Sequence, residues 1–133
     1  MLAPNHHVTE PWRFWVVGRE TLEALAEATG DKKLLRSHTA IVVGVKRNDD
    51  AQVAEEDYAA VACAIQNLML AARARGLASF LRTPGVLSRP AVSRLLDVPR
   101  KVRLIGVVHL GWPGEPFPPQ PERSAAGHTH WLP

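Results

Sequence analysis

Few residues in this sequence have the types and spacing of a catalytic centre. The single cysteine, Cys63, lies in an apolar stretch, where a thiol is typical of core packing rather than of nucleophilic chemistry. His6 and His7 are adjacent, and His128 and His130 lie near the other end of the chain. Neither pair supplies the three or four converging ligands of a metal site. We therefore expect no metal site and no catalytic side chain, and any redox chemistry must come from a bound cofactor.

Charged residues give two further candidates for chemistry. Glu55, Glu56 and Asp57 are consecutive acids, but they fall near the start of an expected helix, where the helix dipole explains them. The segment 73–103 carries eight Lys and Arg residues against one acid, a balance that suits cofactor phosphates, nucleic acid or a solvated face. Nucleotide-binding signatures and interleaved aromatic residues beyond Phe80 are missing, so nucleic-acid binding is disfavoured.

Length and composition limit the architecture. The 133 residues suffice for one domain, and 46% hydrophobic and 22% charged residues are ordinary for a globular protein. No apolar run reaches the ~18 residues of a membrane span. The N-terminus lacks the basic and apolar regions of a signal peptide. We expect a cytoplasmic protein that is not inserted in a membrane.

Hydrophobic periodicity and turn residues predict an alternation of strands and helices. An irregular loop is expected over residues 1–11. Strands are expected at 12–17, 40–46 and 102–110, with a short extended piece at 77–81. Helices are expected at 19–29, at 53–75 and from a Ser88 cap to about residue 96. Gly30 and Gly76 are the expected helix stops, and Asn48, Asp49 and Asp50 mark a turn. Prolines 113, 116, 118, 119 and 121 then exclude a helix or a central strand.

The helix expected over residues 53–75 has an unusual pattern. From Tyr58 to Ala72 only Gln66 and Asn67 are strongly polar. A helix that is apolar nearly all round must be covered on nearly all sides, and a chain this short has few elements to cover it. The pattern therefore predicts a partner subunit.

Three segments, in this order and spacing, resemble the nitroreductase-like FMN-dependent oxidoreductases, in particular the compact bacterial subgroup of NAD(P)H nitroreductases. They are residues 3–14 (APNHHVTEPWRF), 64–83 (AIQNLMLAARARGLASFLRT) and 104–113 (LIGVVHLGWP), with Pro119 to Arg123 and His130-Trp131 beyond. The resemblance implies an α+β sandwich of helices around a mixed, mostly antiparallel sheet. It also implies one domain over 1–133 with a proline-rich C-terminal arm (about 112–133), and an obligate homodimer with FMN between its subunits.

The resemblance also implies which residues bind cofactors. The FMN contacts carried over are Asn5, His6, Glu10, Leu81, Arg82, Thr83 and Arg123, with Arg82 as a candidate partner of the phosphate. The stretch assigned to NAD(P)H is Ala71, Ala72, Arg73, Ala74, Arg75 and Gly76. NAD(P)H would reduce FMN, and a small-molecule electron acceptor of nitroaromatic or quinone type would then take the hydride, without an acid-base pair from the protein.

The chain departs from the family at its N-terminus. Family members carry a helix, an Arg-Arg-Ser-type motif that grips FMN and a second helix before the Ala-Pro, whereas Met1 stands two residues before Ala3 here. Leu2 replaces a residue that is often basic in the subgroup, and Glu10 replaces the usual Gln. Either the start is assigned too late or the short form is natural. Two alternatives follow: a non-catalytic dimeric remnant with weak or no flavin binding, and a basic nucleic-acid-binding module.

Overall fold

The structure, a computed structural model, describes residues 2–119 and 122–132. Its strands are β1 (Trp12–Val17), β2 (Thr39–Lys46), β3 (Ala78–Arg82) and β4 (Val102–Gly111), and its α-helices are α1 (Arg19–Thr29), α2 (Ala51–Ala74) and α3 (Pro90–Leu95). Short 3₁₀ turns occupy His6–Val8, Lys32–Arg36, Gly85–Ser88 and Ala126–His128. Among these residues, no helix is both long and apolar enough to cross a membrane.

The four strands form one sheet in the order β1-β2-β4-β3, and all three strand pairs are antiparallel. The register between β2 and β4 shifts at Val43/Gly44. A Cβ at Gly44 would lie 2.7 Å from Val102 Cγ1 and 3.0 Å from Trp15 Cζ3, so only glycine fits this crowded point. β1 and β3 are the two edges, with β2 and β4 buried between them.

Helices cover both faces of the sheet because successive strand residues point to opposite sides. Val42 and Val107 pack with α1 and α3 in one core cluster, whereas Val43 and Val108 pack with Val61 of α2 in the other. This arrangement confirms the α+β sandwich predicted from the sequence, and the mostly antiparallel sheet is antiparallel throughout the part that the structure describes. The single-domain boundary at 1–133 stays a prediction.

The first helix follows the sequence pattern closely. α1 buries Leu22, Leu25, Ala26 and Thr29, the four residues whose helical spacing predicted it. Gly30 then takes the left-handed conformation, with φ 73°, and its N–H donates to the Ala26 carbonyl.

The long helix α2 begins earlier than the sequence indicated. Asp50, expected in a turn, is its N-cap, and its carboxylate accepts from the Val53 N–H at 3.0 Å. The start at Ala51 leaves no acid in the first turn of the helix, so the dipole explanation for Glu56 and Asp57 was wrong. Both acids instead have partners in the segment before β1.

One face of α2 is apolar and exposed. Ala60, Val61, Ala64 and Ile65 are buried against the sheet, whereas Tyr58 and Leu70 are 44% and 57% exposed. The prediction that Cys63 packs in a core was wrong for the single chain, because Cys63 lies on this exposed face. We call five exposed apolar residues of the helix the α2 face; they are Tyr58, Ala59, Ala62, Cys63 and Leu70.

The second half of the chain shows one further difference. Ser88 is not a helix cap: its hydroxyl donates to the Gly85 carbonyl, and α3 begins at Pro90 with Arg89 as a cap that uses no side chain. After β4, residues 112–119 form neither helix nor strand, as the prolines indicated, and Pro121 lies outside the described residues.

Candidate functional site

The segment before β1, residues 2–11, is termed the N-terminal loop and carries three of the predicted FMN contacts. The side chain of Asn5 holds it together: Oδ1 accepts from the Glu10 N–H at 2.8 Å, and Nδ2 donates to Thr9 Oγ1 at 3.0 Å. His7, Val8 and Glu10 have φ values of 59°, 50° and 44°. Non-glycine residues rarely adopt this region, and such strained positions cluster at functional sites.

Two contacts fix the N-terminal loop to the start of α2. Thr9 Oγ1 donates to Asp57 Oδ1, and the Asp57 carboxylate is 2% exposed. His6 Nδ1 hydrogen-bonds Glu56 Oε2 at 2.8 Å. This hydrogen bond, more than any other interaction, lowers the pKa of Glu56 below its usual value. The loop is therefore positioned by the helix whose apolar face is exposed.

The other predicted FMN contacts lie at the end of β3. Leu81 packs in the core beneath α2, whereas Arg82 points to the opposite face of the sheet and pairs through Nη2 with Asp31 Oδ2 at 3.0 Å. Both side chains of this pair are 14% exposed, and Arg82 Nη1 is buried without a hydrogen-bond partner among the described residues. Thr83 is exposed and borders a cavity of about 360 Å³ with Tyr58 and Arg103.

Asp31 already neutralises the charge of Arg82. Burial raises the pKa of Asp31, but hydrogen bonds from Arg82 and from the Lys33 N–H outweigh burial, so the pKa lies below its usual value. The carboxylate is therefore ionised at neutral pH. A cofactor phosphate at Arg82 would have to compete with it, and the predicted phosphate contact stays a prediction.

The two groups of predicted FMN residues belong to different edges of the sheet in a single chain. The N-terminal loop leads into β1, and Arg82 ends β3, so the groups lie at opposite edges of the sheet. Three strand spacings separate those edges, about 14 Å. No hydrogen bond or ion pair between described residues joins the two groups. Arg123, in the exposed C-terminal arm, also has no such contact with the described part of the chain.

The stretch predicted to bind NAD(P)H forms the C-terminal end of α2. The Gly76 N–H donates to the Arg73 carbonyl and the Leu77 N–H to the Ala72 carbonyl, each at 3.0 Å, and Gly76 has φ 77°. This pattern is a Schellman motif, which explains the glycine by helix termination. Ala72 is buried, whereas Ala71, Arg73, Ala74, Arg75 and Gly76 are exposed.

The exposed arginines of this stretch have partners of their own. The Arg73 guanidinium lies over the Phe117 ring, 3.1 Å from its centroid, and Arg75 Nη1 donates to the Ala71 carbonyl at 3.2 Å. A helix C-terminus repels anions, so these two arginines must supply any attraction for a dinucleotide phosphate. Cofactor binding here stays a prediction.

The sequence did not single out a buried histidine near a larger groove. His109 of β4 is 5% exposed and, with Ser37, Phe80 and Trp112, lines an open groove of about 910 Å³. The Ser37 hydroxyl donates to the Thr39 carbonyl at 2.8 Å and contacts His109 Nδ1 at 2.8 Å. Because that hydroxyl proton is already used, Nδ1 must carry a proton and donate to Ser37.

His109 is therefore neutral, with Nε2 as an acceptor. Burial, and then the positive charges of Arg82 and Arg36, lower the pKa of His109 below its usual value. Nε2 is buried and has no hydrogen-bond partner among the described residues. A histidine in the otherwise apolar run LIGVVHL, residues 104–110, was the available signal for this feature.

Comparison with known proteins identifies the family. The family model described as "Nitroreductase family" matches residues 26–112, about two thirds of the chain. The chain belongs to the nitroreductase family. This match confirms the resemblance found on the three sequence segments, the second and most of the third of which lie inside it.

Relatives and solved structures agree with this assignment. The chain is 27% identical over 132 residues to "Putative NAD(P)H nitroreductase YfhC" of Bacillus subtilis (strain 168), and the match covers 85% of this chain and 68% of that protein. It matches the nitroreductase-like family protein from Bacillus cereus with a TM-score of 0.80 and 23% identity, over 98% of this chain and 78% of the other. The NADPH:FMN oxidoreductase from Vibrio harveyi, complexed with NAD⁺, matches with a TM-score of 0.78 and 19% identity. This match covers 97% of this chain and 62% of the Vibrio harveyi chain.

Proposed function

We propose that this chain is an FMN-dependent oxidoreductase that passes hydride from NAD(P)H to nitroaromatic or quinone-like acceptors. The match to the nitroreductase family over residues 26–112 carries the proposal. The name of the Bacillus subtilis relative supports NAD(P)H as the reductant, and the Vibrio harveyi enzyme, which shares the fold, supports FMN as the cofactor. FMN supplies the hydride chemistry when bound, so the chain needs only to bind, orient and exclude water.

The described residues fit the flavin ring better than its phosphate. A flavin needs an apolar surface and a few hydrogen-bonding groups at its edge. The α2 face supplies the apolar surface, and Thr83 supplies a hydroxyl beside Tyr58. Arg82 is held by Asp31, so the exposed Arg103, which lines the same cavity as Thr83, is the better-placed cation for the phosphate.

The proposed working form is a homodimer that pairs through the α2 face. The exposed Tyr58 and Leu70 support this assembly, because large apolar side chains exposed on one helix are stabilised by burial against a partner. The lack of any hydrogen bond or ion pair between the two FMN-contact groups, among the described residues, supports it as well. A second subunit could complete one site from the N-terminal loop of one chain and the β3 end of the other.

A direct test is the visible spectrum of the purified protein, followed by reconstitution with FMN. The expected result is a yellow dimer that oxidises NADH or NADPH when a nitroaromatic or quinone is added. Arg103→Ala should weaken FMN binding more than Arg94→Ala, an exposed arginine on α3. A dimer that stays colourless in excess FMN would favour the non-catalytic remnant instead. Salt-sensitive binding of DNA or RNA without flavin would favour the basic module.

A further inference from the structure

A cluster of three metal-ligating side chains lies where the N-terminal loop meets α2. His6 Nδ1 is 2.8 Å from Glu56 Oε2, and His7 Nε2 is 4.0 Å from the same oxygen. All three ligand atoms fall within 4.8 Å of one another, a convergence found once in the part of the chain that the structure describes. We propose that His6, His7 and Glu56 form a binding site for a divalent transition-metal ion of the Zn²⁺ class.

The separations of the three atoms fit a tetrahedral ion. Zn²⁺ bonds of about 2.0–2.2 Å place ligand atoms roughly 3.4 Å apart. The distances of 2.8 and 4.0 Å bracket that value, so movements of about 1 Å bring all three atoms into the coordination sphere. The His6 and His7 side chains are 64% and 55% exposed, which leaves them free to make these movements and leaves a fourth position for water.

The chemistry of the three ligands selects the kind of metal. Two imidazole nitrogens and one carboxylate oxygen are a ligand set that zinc takes in sites with an open position, whereas magnesium and calcium prefer oxygen ligands alone. The second oxygen of Glu56 accepts a hydrogen bond from Gln52 Nε2 at 3.4 Å. Support of this kind orients a ligating carboxylate.

The fold holds the ligands together before any ion binds. The His7 backbone has φ 59°, and its neighbour Val8, a β-branched residue, has φ 50°. Such conformations persist only where the surroundings enforce them, and here the Thr9–Asp57 hydrogen bond fixes the loop to α2. The imidazole rings of His6 and His7 stack with centroids 3.8 Å apart.

This site can be tested apart from flavin binding. His7 and Glu56 are not among the residues predicted to contact FMN, although His6 is. His7→Ala therefore removes a metal ligand and leaves every predicted flavin contact in place. Failure of the flavin proposal would appear in the visible spectrum, whereas failure of the metal proposal appears in a Zn²⁺ titration of the same protein.

The experiment is a calorimetric titration with Zn²⁺ of the full chain, purified without a polyhistidine tag and stripped with a chelator. One ion per chain should bind with a Kd tighter than about 100 µM. His7→Ala and Glu56→Gln should each weaken binding by at least about tenfold. The matched control replaces two exposed histidines of the C-terminal arm, His128→Ala with His130→Ala, and should bind as the wild type does.

Thermal unfolding supplies a second measurement. Zn²⁺ should raise the Tm of the wild type and of the C-terminal control, but not that of His7→Ala, because only a ligand that binds the folded state stabilises it. Circular dichroism confirms that each variant is folded. The proposal is overturned if no saturable binding occurs, if His7→Ala binds as tightly as the wild type, or if the C-terminal double variant is the one that loses the ion.

Discussion

Replacing Asp31 with Asn tests what the buried ion pair with Arg82 contributes to stability. We expect that Asp31 mainly compensates the buried charge of Arg82, and that the pair as a whole adds little to the free energy of unfolding. Asn keeps the side-chain acceptor that caps the Lys33 N–H, so the change removes mainly the negative charge. Both partners are 14% exposed, and breaking a pair this buried leaves an uncompensated guanidinium, which costs about 3 kcal/mol. Removing the whole pair, with Asp31→Asn and Arg82→Met together, should cost less than about 1 kcal/mol.

Urea unfolding at one fixed protein concentration measures both variants, since the stability of the proposed dimer would depend on concentration. The single variant should also lose about 10 °C in Tm. The exposed pair Arg19–Glu23, broken by Glu23→Gln, is the control and should change stability by less than about 0.5 kcal/mol. The reasoning fails if the double variant is as unstable as the single one, or if Asp31→Asn matches the control.

The same variant reports on the cofactor. If Arg82 contacts the FMN phosphate, release from Asp31 frees its charge, and Asp31→Asn should bind FMN more tightly than the wild type. If Arg103 provides that contact instead, the Kd for FMN should stay unchanged within about twofold. Fluorescence titration with FMN separates these outcomes, and only the first agrees with the role carried over for Arg82.

Three further perturbations check other parts of the structure. Leu70→Glu on the α2 face should convert the proposed dimer to monomer in sedimentation, whereas Leu95→Glu on α3 should not; equal effects would exclude α2 as the interface. Because the pKa of His109 is lowered, its stabilising effect is present above about pH 6.5 and is lost as the pH falls. His109→Leu should therefore flatten the rise of unfolding free energy with pH in the range below about pH 6.5, and an unchanged slope would refute this. Gly76→Ala, at φ 77°, should destabilise by about 1 kcal/mol or more. Gly114→Ala, in a loop with open space around its position, should be neutral; equal thermal shifts would contradict the Schellman assignment.

Local patterns in the sequence predicted most of the fold. The spacing of Leu22, Leu25, Ala26 and Thr29 gave both the bounds of α1 and its buried face, because a surface helix on a sheet needs one apolar stripe. β-branched runs located β1, β2 and β4 to within a residue or two at each end. The start of α2 was missed because Asp50 serves equally well as a turn residue and as an N-cap.

The site was harder to predict, because its contacts join residues far apart in sequence. Arg82 and Asp31 are 51 positions apart, and His6 and Glu56 are 50 apart. Periodicity describes one element at a time and contains no information about such pairs. The acids at the start of α2 therefore seemed adequately explained by the helix dipole, although the fold uses Glu56 and Asp57 to hold the N-terminal loop.

That connection ties the proposed cofactor site to the proposed dimer. The N-terminal loop is fixed to α2 through Glu56 and Asp57, and Tyr58, the next residue, lies on the exposed α2 face and borders the cavity beside Thr83. Any subunit that covers the α2 face must therefore pack beside both groups of predicted FMN contacts. If the dimer forms without flavin, it should already hold these groups in place, and FMN should bind without changing the oligomeric state. If flavin is instead part of the interface, dilution should release FMN and monomers together.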